Sequence, residues 1–399
     1  MIDQGHSFFV VRARKFFSYI NNKWLRKSPF LMLRVHFFRL AITNACYALA
    51  RSILPCNERI GFPRGTFSLV ELLRGEKLRG RVICDKQELP RFVKASMVRR
   101  CRMKQDNYQP WPIFWSEHRQ ARLVGPTLAL MDERQRLAIE SLFGPWLYSC
   151  DPSYRSWKRP DPILLGGSWT SLKMQFGNGF YHWLMDVLPR LAVLDELPAD
   201  IKILVPAQLA SFEQEALELL GLKDRVRPTP ETHLVVEHYF FCSPTGMTGG
   251  MNPYAVESLR KLLLNKKNPT FSGPTQFYIP RTGTRVPVNS RQICAFFESL
   301  GWSVVYPEKM TLAQQIALFS KANAVCADHG AALTNLVFAP SSCRVLELFA
   351  DNFLNACYEI ICAARGISYR HLIFEADELF QPHIDLSILE REASDLFQE

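Results

Sequence analysis

The 399-residue chain contains no Asp-x-Asp pair anywhere. It therefore lacks the loop that presents paired carboxylates to a divalent cation bound to a diphosphate. The nearest approach is Glu375-Ala376-Asp377, which reads as a solvated acidic stretch. Its eleven cysteines are scattered and odd in number, with no CxxC pair. Neither a metal site nor a disulfide framework is expected on that pattern, and buried free thiols in a reducing compartment are expected. No uncharged apolar run is long enough to span a membrane. The richest candidate, Phe30–Leu54, is interrupted by Arg34, His36, Arg39 and Arg51, whereas a spanning helix needs ~20 nearly uncharged residues. The N-terminus shows only short apolar stretches and no clear small-residue cleavage site, so no secretory signal is expected. No internal repeat and no nucleic-acid-binding motif is visible, and charge alone does not specify nucleic acid.

Acidic residues are scarce at the N-terminus. Residues 1–54 hold nine Lys/Arg against one acid, Asp3, so this arm carries +8 of the net +10 and the rest is close to neutral. Such an arm implies an anionic partner. Phe8, Phe9, Phe16, Phe17, Tyr19, Ile20 and Trp24 alternate with the basic residues, a pattern that suits a helix lying flat on anionic lipid. The alternative is an arm packed on its own protein.

What remains is rich enough in apolar residues, 48% over the whole chain, to build large cores. At ~100–200 residues per domain the length predicts two or three domains. After the arm (1–54), residues 55–150 are mixed, with short strands at Arg81–Cys84 and Arg122–Val124 and a helix beginning in Asp132–Phe143. From Asp161 the pattern becomes regular. Pro162–Leu165 reads as a strand ending at Gly166-Gly167, Tyr181–Leu197 has helical apolar spacing, Ile201–Val205 is a buried strand, Ser211–Leu220 a helix and Leu234–Cys242 a strand. Tyr254–Leu264 is helical, and Asn265–Pro274, rich in Lys, Asn, Pro and Gly, reads as an interdomain linker. A second unit alternates strands at Gln276–Ile279, Ser303–Tyr306, Asn323–Ala327 and Arg344–Phe349 with helices at Ser290–Leu300 and Thr311–Ser320, the latter with Thr311 as N-cap. Those lengths are those of βαβ units, which predicts an α/β fold. The domains expected are 55–265 and 275–375, followed by a tail, 376–399.

Three segments carry ionisable groups in places where chemistry is possible. Ala324–Ala327 runs into Asp328-His329-Gly330-Ala331-Ala332, a buried strand entering a small-residue turn and a helix N-terminus. Ligands bind at the carboxyl ends of such strands, and helix N-termini attract phosphate. Gly330 would let a diphosphate approach the backbone, and His329 could donate to it. An ordinary βα loop is the alternative. Arg281 and Arg285, just past the Gln276–Ile279 strand, face the same sheet edge and suit phosphate by their planar forks; a solvated basic loop is the alternative. Finally, His182 and Asp186 lie four apart on a predicted helix, a spacing that puts a histidine and a carboxylate on one face as a general base. A core histidine is the alternative there.

Taken in order, the segments resemble glycosyltransferase family 61, a family that includes capsular-polysaccharide enzymes. The resemblance rests on Asn178–Arg190, on Tyr278–Asn289, on Pro307-Glu308 followed by Leu312–Ile316, on His329–Asn335 and on Val345–Glu347. It covers about residues 160–350, and the His-Gly-Ala block is its most specific part. One departure stands in the basic loop, where paired arginines are common in the family and this chain has Arg285-Val286-Pro287.

The resemblance implies a GT-B-like fold of two Rossmann-like domains facing a cleft. The donor, a nucleotide-sugar, would bind the second domain through Arg281, Arg285, His329, Gly330, Ala331, Asn335 and Glu308, with Glu347 a candidate for the ribose hydroxyls. The acceptor, a glycan or glycolipid, would meet Asn178, Tyr181 and Trp183 in the first. Asp186, slightly ahead of His182, is expected as the base of an inverting hexosyl or pentosyl transfer. Arginines and a helix N-terminus can stabilise the leaving diphosphate, so no cofactor or metal is expected. The setting expected is cell-surface polysaccharide synthesis by a cytoplasmic enzyme, peripheral at the inner face of the cell membrane, with no nucleic-acid partner. Alternatives are a protein O-glycosyltransferase and a non-catalytic nucleotide-sugar- or glycan-binding protein.

Overall fold

The computed structural model describes residues 66–84, 112–142, 159–174, 177–247, 250–264 and 272–397. The basic arm, most of the proposed linker and the stretch 143–158 lie outside them. Two large sheets organise the described chain, besides a two-stranded ribbon of β10 (Gly246–Met247) and β11 (Gly250–Met251). Each strand hydrogen-bonds to its neighbours in the order β1-β5-β4-β3-β9-β6-β7-β8 in the first, with β2 paired to β3.

One end of the first sheet is the alternating unit read from the sequence. β6 (Ile163–Ser171), β7 (Lys202–Pro206), β8 (Val226–Thr229) and β9 (His233–Cys242) are mutually parallel. An antiparallel set extends it. β3 (Ile113–Val124) pairs with β9 on one side and with β2 (Gly80–Cys84) and β4 (Ala129–Met131) on the other. β5 (Leu137–Ala138) and β1 (Thr66–Phe67) complete the edge. The first sheet is thus mixed.

Two local expectations fail for identifiable reasons. Gly166-Gly167 does not end β6; the strand continues through a bulge between Leu165 and Ser168, with Gly167 at φ +83° and its N–H on the Glu237 carboxylate. Glycine is the residue that reaches that conformation without a Cβ penalty. The described part of Asp132–Phe143 is not a helix but a turn, β5 and a short 3₁₀ segment, Ile139–Leu142. That segment turns inward because buried Glu140 accepts hydrogen bonds from the Ser68 hydroxyl (2.7 Å) and the Leu69 and Val70 amides (3.0 and 3.2 Å). It satisfies the orphan donors at the start of α1 (Leu69–Arg74).

The segment after β6 is helical as expected but changes pitch twice. One α-turn, Phe180–His182, passes into a π segment, Trp183–Val187, and then a 3₁₀ stretch, Leu188–Glu196. Every residue from Trp183 to Leu191 is buried. Two helices follow, α2 (Ser211–Leu219) and α3 (Pro253–Leu264).

The second sheet is parallel throughout, in the order β13-β12-β14-β15-β16. Its strands are β12 (Gln276–Ile279), β13 (Ser303–Val304), β14 (Ala324–Asp328), β15 (Arg344–Ala350) and β16 (Ser368–Phe374). The crossover helices are α4 (Ser290–Ser299), α5 (Leu312–Phe319) and α6 (Cys357–Arg365), with a 3₁₀ helix at Ala331–Phe338. Thr311 caps α5 as read: its hydroxyl accepts the Gln314 amide and Gln314 reaches back to the Thr311 N–H. The presumed tail is structured, since β16 leads through a hairpin into α7 (Leu386–Phe397), whose Leu389 and Ala393 are buried. From β12 the chain goes first to β13 on one side and then to β14 on the other, so the order reverses between β12 and β14. Crevices form at such a reversal, outside the carboxyl ends of the strands.

One hydrophobic cluster joins elements of both sheets, including Trp183, Leu184, Ile203, Leu259, Phe277, Ile316, Phe338 and Ile361. No helix among the described residues is long and apolar enough to cross a membrane. The seven described cysteines are all free.

Candidate active site

The crevice between β12 and β14 opens into a cavity of about 350 Å³, within the range of small-molecule sites. The second sheet supplies Ile279, Pro280, Arg281 and Thr282 from the end of β12 and Asp328, Gly330, Ala331 and Ala332 from the end of β14. Glu308, Met310 and Gln315 line one side, and Phe180, Phe212 and Glu215 come from the first-sheet part of the chain. Glu215 also accepts the Leu312 amide at the start of α5 (2.5 Å).

Arg281 is held at the mouth by the backbone. Its Nε donates to Thr284 O (2.7 Å) and its Nη1 to His329 O (2.5 Å). This placement gives Gly330 a further role. A Cβ there would lie 2.7 Å from Arg281 Nη1, so the missing side chain makes room for the guanidinium. Gly330 sits at an extended φ of −170°, so the need is for space alone.

Arg285 stands beside it at φ +61°. Its guanidinium carbon lies 3.9 Å from the centre of the Phe353 ring, and its Nη1 is buried with no hydrogen-bond partner. Burial lowers the pKa of both arginines, and proximity to Arg281 lowers that of Arg285 further. Among the described residues neither forms a carboxylate salt bridge. Asp328, the nearest acid, accepts the Arg281 amide (2.8 Å) and the Tyr278 hydroxyl (3.0 Å). Burial pushes its carboxyl from 3.8 up to about 6 against those contacts. Sequence reasoning did not select Asp328, although an acid at the last position of a buried strand was a signal for it.

The donor-side candidates separate on this geometry. Arg281, Gly330, Ala331 and Glu308 line the cavity, and Glu308 accepts the Thr282 hydroxyl (2.8 Å). Asn335 does not. Its amide is fully buried, donating to Gln315 Oε1 (2.8 Å) and Ala332 O (3.0 Å), so it braces a cavity residue instead. Glu347 is also fully buried, and both of its oxygens are engaged within the protein. One of its oxygens receives His329 Nδ1 (2.5 Å) and the other the Tyr369 hydroxyl (2.6 Å). It orients His329, whose ring packs among Phe349, Phe353 and Tyr358. Arg285 and His329 line a smaller adjoining pocket together with Arg281 and Asp328.

On the acceptor side, His182 Nδ1 and Asp186 Oδ2 are 2.7 Å apart, as the four-residue spacing predicts. Asp186 is completely buried; burial raises its pKa and the bond to His182 opposes this. The His182 side chain is 24% exposed. Asp186 therefore cannot reach an acceptor, and His182 is the member of the pair that can. Trp183 is likewise fully buried in the main cluster, which removes it from acceptor contact. Tyr181 is buried and touches both His182 and Tyr358 edge-on, while Asn178 is exposed in the turn before the helix. Through Tyr181 and Tyr358, a chain of ring contacts runs from His182 to His329.

No curated protein matches this chain. Residues 180–346, which contain both histidines, both arginines and the cavity, match the family model Glycosyltransferase 61, the family that the sequence segments resemble.

Proposed function

We propose that the protein transfers a sugar from a nucleoside-diphosphate donor to a glycan or glycolipid hydroxyl with inversion. The family supports a transferase. The observation that carries the finer reading is the Arg281–Arg285 pair. Two guanidinium groups held side by side repel each other, and Arg285 Nη1 is buried without a partner. A diphosphate across them would supply the missing acceptors and cancel the repulsion. The site stands where a parallel sheet reverses its strand order, the place where open α/β sheets bind ligands. The nucleoside end of the donor belongs in the 350 Å³ cavity, against Phe212, Met310 and Glu308.

In this reaction the acceptor oxygen bonds to the anomeric carbon as the bond from that carbon to the diphosphate oxygen breaks. The electron pair of the broken bond leaves with the diphosphate, stabilised by the arginines. The hydroxyl proton passes to the His182 imidazole at Nε2, because Nδ1 is engaged with Asp186. Asp186 fixes the ring's orientation through its bond to Nδ1. The proposed setting is cell-surface polysaccharide synthesis at the inner face of the cell membrane, with residues 1–54 on the anionic lipid and no cofactor or metal. It is supported by the family match and by the charge of the arm.

A thermal-shift screen of UDP, GDP, CDP and their sugar esters tests the donor reading, because a ligand that binds only the folded state raises the melting temperature. One nucleotide series should raise it. No shift with any of them, at concentrations well above ordinary donor affinities, would reject the reading.

A further inference from the structure

Beside Arg285, the second sheet presents two large aromatic side chains to solvent. Phe353 is 38% exposed and Phe380 is 37% exposed, and their rings meet edge-on at 6.0 Å. Both line the small pocket that also contains Arg285 and His329. Neither was read as functional from the sequence.

The exposure of Phe380 is enforced. It sits at φ +63°, in the left-handed region that a non-glycine side chain adopts at a cost. The hairpin that carries it is pinned on several sides. Asp377 Oδ1 accepts the Leu379 and Gln381 amides (both 2.9 Å), and Asn352 Nδ2 donates to Asp377 O (2.8 Å). The Val288 amide donates to Pro382 O (3.0 Å), and Asn289 exchanges two hydrogen bonds with Ile384. Arg285, across the pocket, is the other lining residue at positive φ. Two costly backbone conformations thus converge on one pocket, one aiming an aromatic ring and the other a guanidinium.

We infer that Phe353 and Phe380 form a stacking platform for the transferred glycosyl unit of the donor. The inference rests on the donor reading above and extends it to the other end of the ligand. Arg281 and Asp328 line both cavities, so a diphosphate at Arg281 has one end in each. The nucleoside matches the cavity of about 350 Å³. The enclosed part of the smaller pocket is about 20 Å³, room for about one water-sized group. A ring on that side therefore lies over the open aromatic shelf, with at most one polar substituent directed into the small pocket. A pyranose has the matching chemistry, an apolar C–H face and a polar rim. Sites for such ligands combine aromatic walls with a few placed donors.

The test compares, by titration calorimetry on the full chain, a nucleoside diphosphate with its sugar ester, using UDP with UDP-glucose and UDP-N-acetylglucosamine, and GDP with GDP-mannose. Phe353→Leu and Phe380→Asn are the variants and exposed Leu379→Ala the control. Asparagine tolerates the left-handed region better than phenylalanine, so Phe380→Asn should keep or raise the melting temperature. The sugar ester should bind Phe380→Asn about three- to tenfold more weakly than wild type, with diphosphate affinity and the control unchanged. In Phe353→Leu, which also removes the ring under Arg285, the ester should lose about three- to tenfold more affinity than the diphosphate. Equal losses for ester and diphosphate, or no loss for either, would overturn the platform while leaving the donor reading standing. Wild-type protein that binds none of these nucleotides would overturn both.

Discussion

At the scale of single residues, the site depends on where charge is held without compensation. His182 and Asp186 form one buried-carboxylate pair, His329 and Glu347 another. Asp186→Asn should lower turnover by about 10²-fold, the low end for general-base catalysis, and His182→Ala by at least as much. Nucleoside-diphosphate affinity should be unchanged in both. Near-normal initial rates with an identified acceptor would move the base elsewhere. Gly330→Ala should weaken diphosphate binding through Arg281, because the added Cβ takes the space of Nη1. An affinity equal to wild type by calorimetry would show that Arg281 gives way without consequence. Asp328 makes a pH prediction. Its carboxyl is near 3.8 when unfolded and about 6 when folded. Between those values the folded protein holds a proton that the unfolded chain has released, so its contribution to stability falls as pH rises from about 4 to about 6. Asp328→Asn should remove that slope. Urea-unfolding free energies of wild type and variant that run parallel over pH 4–7 would contradict it.

At the scale of elements, the helix termini and crossovers connect distant parts of the chain. Glu140 supplies three acceptor contacts at the start of α1 from 70 or so residues away. Glu140→Ala leaves those donors unsatisfied and should cost about 1–3 kcal/mol, measurable by equilibrium denaturation. The Thr311–Gln314 cap and the His182–Asp186 pair were legible because their partners are three and four residues apart, a distance that helical geometry alone determines. The pitch changes after Phe180 were not legible. Apolar spacing reports that a helix forms, while the π and 3₁₀ turns answer to the packing of Trp183–Leu191 against the main cluster.

At the scale of the whole molecule, the parallel second sheet and the parallel end of the first agree with the α/β reading, and the family match agrees with the resemblance. The antiparallel extension of the first sheet had no periodic signature beyond short strands. The arm belongs to this scale as well. If its charge is what holds the protein at anionic lipid, removing residues 1–54 should release it from membranes and leave nucleotide binding intact. Unchanged recovery of the truncated protein with vesicles of anionic lipid would reject the arm as the anchor.

The sequence by itself determined whatever local geometry dictates. Alternating apolar runs specified the βαβ order, the α5 cap followed from Thr311 and Gln314, and His182 met Asp186 because four residues complete about one helical turn. Tertiary structure alone decided the contacts made across strands and loops. Glu347 reaches His329 because β14 and β15 pair in parallel with Ala327 opposite Glu347, a register no local pattern encodes. The same packing buried Asn335 and Trp183, set Arg281 over Gly330, and brought Phe380 to Phe353 across 27 residues. Such pairs form only when the sheet has assembled, so their partners are set by register and crossover direction, with sequence distance playing no part.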